Sequence, residues 1–207
     1  MRTITLEEHF TTPEFLKATG QFRPAHARIQ ELTRRLLDLG PERLADMDAA
    51  QIDLQVMSLS SAGLDKLAPA AATSLVRDVN DRLAAAVSAH PDRFAAFATV
   101  ALQEPEKAAG ELERCIGSLH FKGLIVSGTL NGVFLDDPRF TPVFEAVQAL
   151  DVPIYVHPGL PTQPVKDAYY SGLPGNVGLG LSLAGWGWHA ETGLHCLRLI
   201  LTGVFDR

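Results

Sequence analysis

Five short apolar runs, separated by stretches of helical period, constrain the fold of this chain more than any other feature. They fall at residues 3–6, 52–59, 94–102, 121–126 and 152–156. Most are continuously apolar rather than alternating, the pattern of strands buried on both faces of a parallel sheet. Between them, Leu75, Val76, Val79, Leu83, Ala86 and Val87 keep one helical face apolar. Pro105 suits a first helical position ahead of Leu112, Cys115, Ile116 and Leu119, and Asp137-Pro138 is a start signal for Phe140, Val143, Phe144, Val147 and Leu150. Leu194, Leu197, Leu201 and Val204 predict a final amphipathic helix, and residues 13–39 read as partly helical. Strand–helix units joined by right-handed crossovers make either a (β/α) barrel or an open doubly wound sheet. No Gly-rich turn follows the first run, so the nucleotide-binding open sheet has no support. The expected class is therefore α/β, a (β/α)8 TIM-barrel type. Only about the first five strand–helix units are in the chain, so residues 1–207 are expected to form a single incomplete barrel domain.

In such a barrel the C-terminal strand ends carry the chemistry. Glu7 and His9 lie at the end of the first run, where alternation puts both on one face and Glu8 on the other. A carboxylate beside an imidazole is half of a divalent-metal site. His157, where Ile154-Tyr155-Val156 runs into Pro158-Gly159, is the obvious further donor. A strand-end pair hydrogen-bonded to neighbouring loops would give the same Glu-x-His spacing. Glu8 reads as an ion-pair or hydrogen-bond partner. Ser60 and Ser61 follow the second strand and either line a pocket or cap a loop. Asn131, in Gly128-Thr129-Leu130-Asn131-Gly132, either meets substrate or makes the turn. Trp186 and Trp188 either cover the site's mouth or pack at an interface. Ser60, Asn131 and Trp188 are the candidate substrate contacts. His189 and His195 fall at the start of the last helix, where packing or capping is the preferred role for His195. His26, His90 and His120 read as surface or turn residues.

Charge and composition exclude some classes. The net charge is −6 and basic residues are scattered, with Arg34-Arg35 the closest pair, so no nucleic-acid footprint is visible. Cys115 and Cys196 sit in helical, apolar patterns as expected buried thiols. Residues 168–188 carry no charge and are long enough to span a bilayer, but six glycines and Pro174 interrupt them and basic flanks are absent. They read as a Gly-rich functional loop, with no membrane role. The N-terminus lacks a basic segment followed by an apolar one, so the cytoplasm is the default expectation.

Seven motifs in order give a resemblance: Leu6-Glu7-Glu8-His9-Phe10, Met57-Ser58-Leu59-Ser60-Ser61, Asn80-Asp81-Arg82-Leu83, His90-Pro91-Asp92-Arg93-Phe94, Phe121-Lys122-Gly123, Asp151-Val152-Pro153-Ile154-Tyr155-Val156-His157-Pro158 and Glu191-Thr192-Gly193-Leu194-His195. From about residue 3 to the last residue, the chain resembles the amidohydrolase-related decarboxylase branch of the amidohydrolase superfamily, the branch of gamma-resorcylate and 2,3-dihydroxybenzoate decarboxylases. The resemblance implies a distorted (β/α)8 barrel with a divalent metal, zinc or alternatively manganese. By position, Glu7, His9 and His157 resemble the family's metal ligands. A further Asp ligand and a catalytic His are expected beyond Arg207.

The implied activity is that of a metal-dependent carboxy-lyase acting on a small aromatic or unsaturated carboxylic acid, in a homo-oligomer. Three protein ligands with open positions also serve hydrolysis, so a hydrolase of a cyclic ester or amide is the alternative. A third reading is a truncated, catalytically inactive barrel fragment whose sheet edges are covered by association.

Overall fold

The structure is a computed structural model that describes residues 2–21 and 27–206; His26, expected at the surface, lies outside the described residues. All five expected strands are present, in order: β1 (Ile4–Phe10), β2 (Leu54–Leu59), β3 (Phe94–Ala96), β4 (Leu124–Ser127) and β5 (Ile154–His157). β1 pairs in parallel with β2 from Ile4↔Leu54 to Phe10↔Leu59, and β2 with β3 from Gln55↔Phe94 to Met57↔Ala96. A parallel bridge between Ala98 and Leu124 leads on to β4, which is hydrogen-bonded to β5. Sequential strands are thus spatial neighbours, the order that right-handed strand–helix units generate.

The helices are α1 (Pro13–Ala18), α2 (Ala27–Leu37), α3 (Pro41–Ala49), α4 (Pro69–Ala89), α5 (Pro105–Gly117), α6 (Thr141–Leu150), α7 (Gln163–Tyr169), α8 (Val177–Gly180) and α9 (Gly187–Leu201). Proline opens α1, α3, α4 and α5, where its missing N–H is no loss. Ahead of α6, the Asp137 side chain accepts from the Arg139 N–H at 3.0 Å, as its start signal implied. In α4, Ala72, Val76, Val79, Leu83 and Ala84 are buried at helical spacing. α3 has no counterpart among the helices expected from sequence. No helix among the described residues is long and apolar enough to cross a membrane.

Three expectations are corrected. Residues 168–188 are not a loop: they hold the end of α7, α8, a π-helical turn at Leu181–Gly185 and the start of α9. Glycine permits close turns there, since a Cβ at Gly178 would lie 2.1 Å from the Tyr170 carbonyl oxygen and one at Gly187 2.1 Å from that of Ser182. His195 is not at a helix start but well inside α9, because that helix begins at Gly187. Cys115 is a buried free thiol as expected, whereas Cys196 is a half-exposed one.

The chain divides into two compact units, the first Met1–Ile125 with Pro142–Ile154 and the second Val126–Thr141 with Tyr155–Arg207. Phe10, Phe15, Met47, Met57, Leu83, Phe94, Leu112 and Leu124 are buried in the first. Its third strand is shorter than the apolar run that encodes it. Past Ala98, side-chain bonds replace the ladder: Asn80 of α4 donates to the Thr99 carbonyl at 2.9 Å and accepts from the Thr99 N–H at 3.2 Å. The same amide donates to Glu111 of α5 at 2.9 Å, and Arg114 closes on Glu111 at 2.7 and 2.8 Å. Burial raises the Glu111 carboxyl, but the hydrogen bonds from Arg114 and Asn80 and the Arg114 charge outweigh it and hold the group below its ordinary value. In the second unit Leu135, Phe140, Tyr170, Leu199 and His195 are buried.

Candidate functional site

In the first unit the site residues come from the end of β1. The β1–β2 register runs Thr5↔Gln55 and then Glu8↔Met57, so β1 carries one extra residue between them. Such a bulge re-aims the side chains that follow it. Glu7 Oε1 lies 3.1 Å from His9 Nε2, so the two side chains share a side, as strand alternation predicted. Glu7 is about half exposed and His9 mostly covered. His9 Nδ1 lies 3.0 Å from the Ser58 hydroxyl of β2, directly across the pair.

Below them Arg43 of α3 donates to the carbonyls of His9 and Asp38 at 2.8 Å each and to Gln55 Oε1 at 3.2 Å. Burial lowers the pKa of its guanidinium, and the nearby carboxylates of Glu8, Asp38 and Asp46 oppose that. Arg43 therefore ties α3 to the backbone of a site residue. Its proline-led helix was the signal that could have revealed it.

In the second unit His157 ends β5. Its Nδ1 lies 2.8 Å from the Pro158 carbonyl oxygen, which can only accept, so the Nδ1 edge is the donor there and Nε2 is the ring atom left for another partner. The chain after β4 passes very close to the chain after β5: a Cβ on Gly159 would sit 2.3 Å from the Gly128 Cα, and Gly128 has φ 62°. Glycine is required at both positions.

A cavity of about 10 Å³, room for one water at most, is lined by Thr129, Phe134, His157, Glu191, Thr192 and His195. Burial raises the Glu191 carboxyl. Burial also lowers the His195 imidazole, against an opposing pull from Asp136, and His195 Nε2 accepts the Leu135 N–H at 3.1 Å. Arg198 grips Asp136 at 2.7 and 2.9 Å and stacks over Phe134 at 4.5 Å. Sequence reasoning missed this fastening of the 128–136 loop to α9. Its signal was the spacing of Glu191, His195 and Arg198 on one helical face.

Of the candidate substrate contacts, Ser60 is half-buried after β2, its N–H donating to the Phe10 carbonyl at 2.9 Å. Asn131 is exposed at φ 50° in the turn closed by Leu130 and Val133, which fits its turn role. Trp188 is half-buried in the first turn of α9, its carbonyl accepting from the Thr192 hydroxyl at 2.8 Å. Glu7, His9 and Ser60 thus belong to the first unit, and Asn131, His157 and Trp188 to the second.

Residues 9–207 match the amidohydrolase family. The chain belongs to that family. It is 37% identical over 210 residues to a gamma-resorcylate decarboxylase of Rhizobium radiobacter, covering 98% of this chain and 62% of that protein. Among solved structures it is similar to a 5-carboxyvanillate decarboxylase from Novosphingobium aromaticivorans complexed with manganese and 4-hydroxy-3-methoxy-5-nitrobenzoic acid, at TM-score 0.90 and 34% identity over 99% of this chain and 62% of the other. It is similar too to a dihydroxybenzoic acid decarboxylase from Polaromonas with bound manganese and the inhibitor 2-nitroresorcinol, at TM-score 0.87 and 36% identity over 100% and 62%. This amidohydrolase chain therefore spans about 62% of the length of the relatives it matches. Its parallel strand order and these neighbours make it an incomplete (β/α)8 barrel.

Proposed function

We propose that this amidohydrolase chain carries part of a metal-dependent carboxy-lyase acting on an aromatic carboxylic acid. The observation that carries the proposal is its similarity, over 98–99% of its length, to proteins named as decarboxylases of such acids. Glu7, His9 and His157 are read as the residues that hold the ion. The donor chemistry supports this, because each offers one ligand atom, a carboxylate oxygen or an imidazole nitrogen. Such a mixed oxygen and nitrogen set suits either zinc or manganese, and both neighbouring decarboxylase complexes hold manganese.

When bound, a divalent ion supplies charge stabilisation and a template for the substrate's carboxylate and phenolic oxygens. The chain's own residues do the rest. Glu7 contributes the negative charge that a cation needs, His157 presents Nε2 because Pro158 holds its Nδ1 proton, and Arg43 fixes the backbone that carries His9. Ser60, Asn131 and Trp188 are read as substrate contacts. Residues 1–207 are read as one incomplete barrel domain, supported by a unit boundary that falls within β4 and β5 rather than in a linker. A cytoplasmic location fits the two free thiols. A homo-oligomer fits the exposed Leu194, Leu197, Ile200 and Leu201 of α9.

The test is carbon dioxide release from 2,6-dihydroxybenzoate and 5-carboxyvanillate by protein reloaded with manganese or zinc. Release that a chelator abolishes and the ion restores is expected. Ring opening of cyclic esters or amides without carbon dioxide would support the hydrolase instead. A metal-free, tightly associated and inactive species would support the silent fragment.

A further inference from the structure

We propose that Ser58 is a positioning residue for His9, its hydroxyl holding the Nδ1 edge of the imidazole so that Nε2 is presented as the ligand atom. This rests on reading His9 as a metal ligand. Ser58 stands out chemically before it does functionally. It is fully buried, at 0% exposure, in a strand whose neighbours Val56, Met57 and Leu59 are buried and apolar. A buried hydroxyl without a hydrogen bond is unfavourable by about 1–3 kcal/mol in proteins, so alanine or valine would serve the packing better. The bond that compensates it goes to His9 Nδ1, 3.0 Å away and directly opposite in the parallel pair.

The hydroxyl suits this place because it both donates and accepts. His9 Nε2 lies 3.1 Å from Glu7 Oε1. Without an ion, a proton on Nε2 satisfies Glu7, and Ser58 then donates to Nδ1. A bound ion would need the Nε2 lone pair; the ring proton would then sit on Nδ1, and Ser58 would turn to accept it. The ring need not rotate between the two states, and the Arg43 bond to the His9 carbonyl at 2.8 Å keeps its backbone in place. His157 lacks this freedom, since the Pro158 carbonyl oxygen beside its Nδ1 accepts only. Of the two imidazoles, His9 is therefore the one whose proton placement follows ion uptake, and Ser58 is the group that allows it. Outer hydrogen-bond partners of this kind are worth about 10–100-fold in metal affinity.

The experiment titrates the ion-free protein with zinc against a fluorescent chelator, for wild type, Ser58→Ala and His9→Ala. Ser58→Ala is expected to weaken zinc binding by about 10–100-fold, and His9→Ala by more. If Ser58→Ala binds within about threefold of wild type while His9→Ala is strongly impaired, the positioning role is overturned and the metal reading stands. If His9→Ala binds zinc as wild type does, the metal reading itself fails. A second measurement needs no variant: long-range proton–nitrogen NMR of the His9 ring in wild type at about pH 8, above the ordinary imidazole range. The proton is expected on Nε2 without zinc and on Nδ1 with it. A ring whose Nδ1 carries no proton in the zinc-loaded protein would overturn the proposal even if Ser58→Ala did not fold.

Discussion

Replacing Asn80 with alanine should destabilise the first unit severely, although its side-chain hydrogen bonds go to Thr99 and Glu111 and to none of the candidate site residues. Asn80 satisfies both backbone groups of Thr99, at 2.9 and 3.2 Å, at the point where the strand ladder ends. Thr99 is buried, so alanine leaves its N–H and carbonyl without those partners. Each stranded group costs about 1–3 kcal/mol, giving about 4 kcal/mol for the pair. Glu111 adds little, because Arg114 still holds it at 2.7 and 2.8 Å. A loss of that size is a large part of a typical stability of about 5–15 kcal/mol. It corresponds to a fall in Tm of about 8–16 °C for a chain of this length.

Urea unfolding followed by far-UV circular dichroism and tryptophan fluorescence would read it, with the slope m unchanged and the midpoint lowered. Both tryptophans, Trp186 and Trp188, lie in the second unit, so coincidence of the two signals also tests whether the units unfold together. Asp81→Ala, which removes only a half-exposed partner of Arg114, is the control and should cost under about 1 kcal/mol. An Asn80→Ala loss below about 1 kcal/mol would show that the Thr99 groups do not depend on this amide.

Three further outcomes are expected. Because the folded Glu111 carboxyl titrates below its ordinary value, its contribution is present above about pH 4.5 and is lost as pH falls through the lowered value; urea midpoints against pH should therefore fall less steeply on the acid side in Glu111→Gln than in wild type. His195→Ala removes the acceptor of the Leu135 N–H, so hydrogen exchange at Leu135 should speed up at least about tenfold, with little change in α5. Gly159→Ala would force a Cβ to within 2.3 Å of the Gly128 Cα, and should lower stability by about 1–3 kcal/mol in thermal unfolding.

The parts of this fold legible in the sequence are those with local causes. Pro105 and Asp137 announced helices because a missing N–H and a capping carboxylate act within one turn. The pairing of Glu7 with His9 followed from alternation over three residues, although the bulge between Thr5 and Glu8 could not, since register depends on β2. Glycines misled at 168–188 because flexibility and close helical packing use the same residue. The polar contacts were opaque for a different reason. Ser58 meets His9 49 positions away, Asn80 meets Thr99 at 19 and His195 meets Leu135 at 60. A serine or histidine inside an apolar pattern reads as filler until the fold supplies its partner. Arg43 was hidden with the whole of α3, whose short helix shows a single buried apolar residue, Met47.

Glu7, His9 and His157 are proposed to bind one divalent ion. Diffraction at the manganese absorption edge from crystals grown with manganese tests it most directly. The expected result is one strong anomalous peak bonded, at about 2 Å, to a Glu7 carboxylate oxygen and to Nε2 of both His9 and His157. A peak held by other residues, or one that touches the β1 pair without His157, would contradict it.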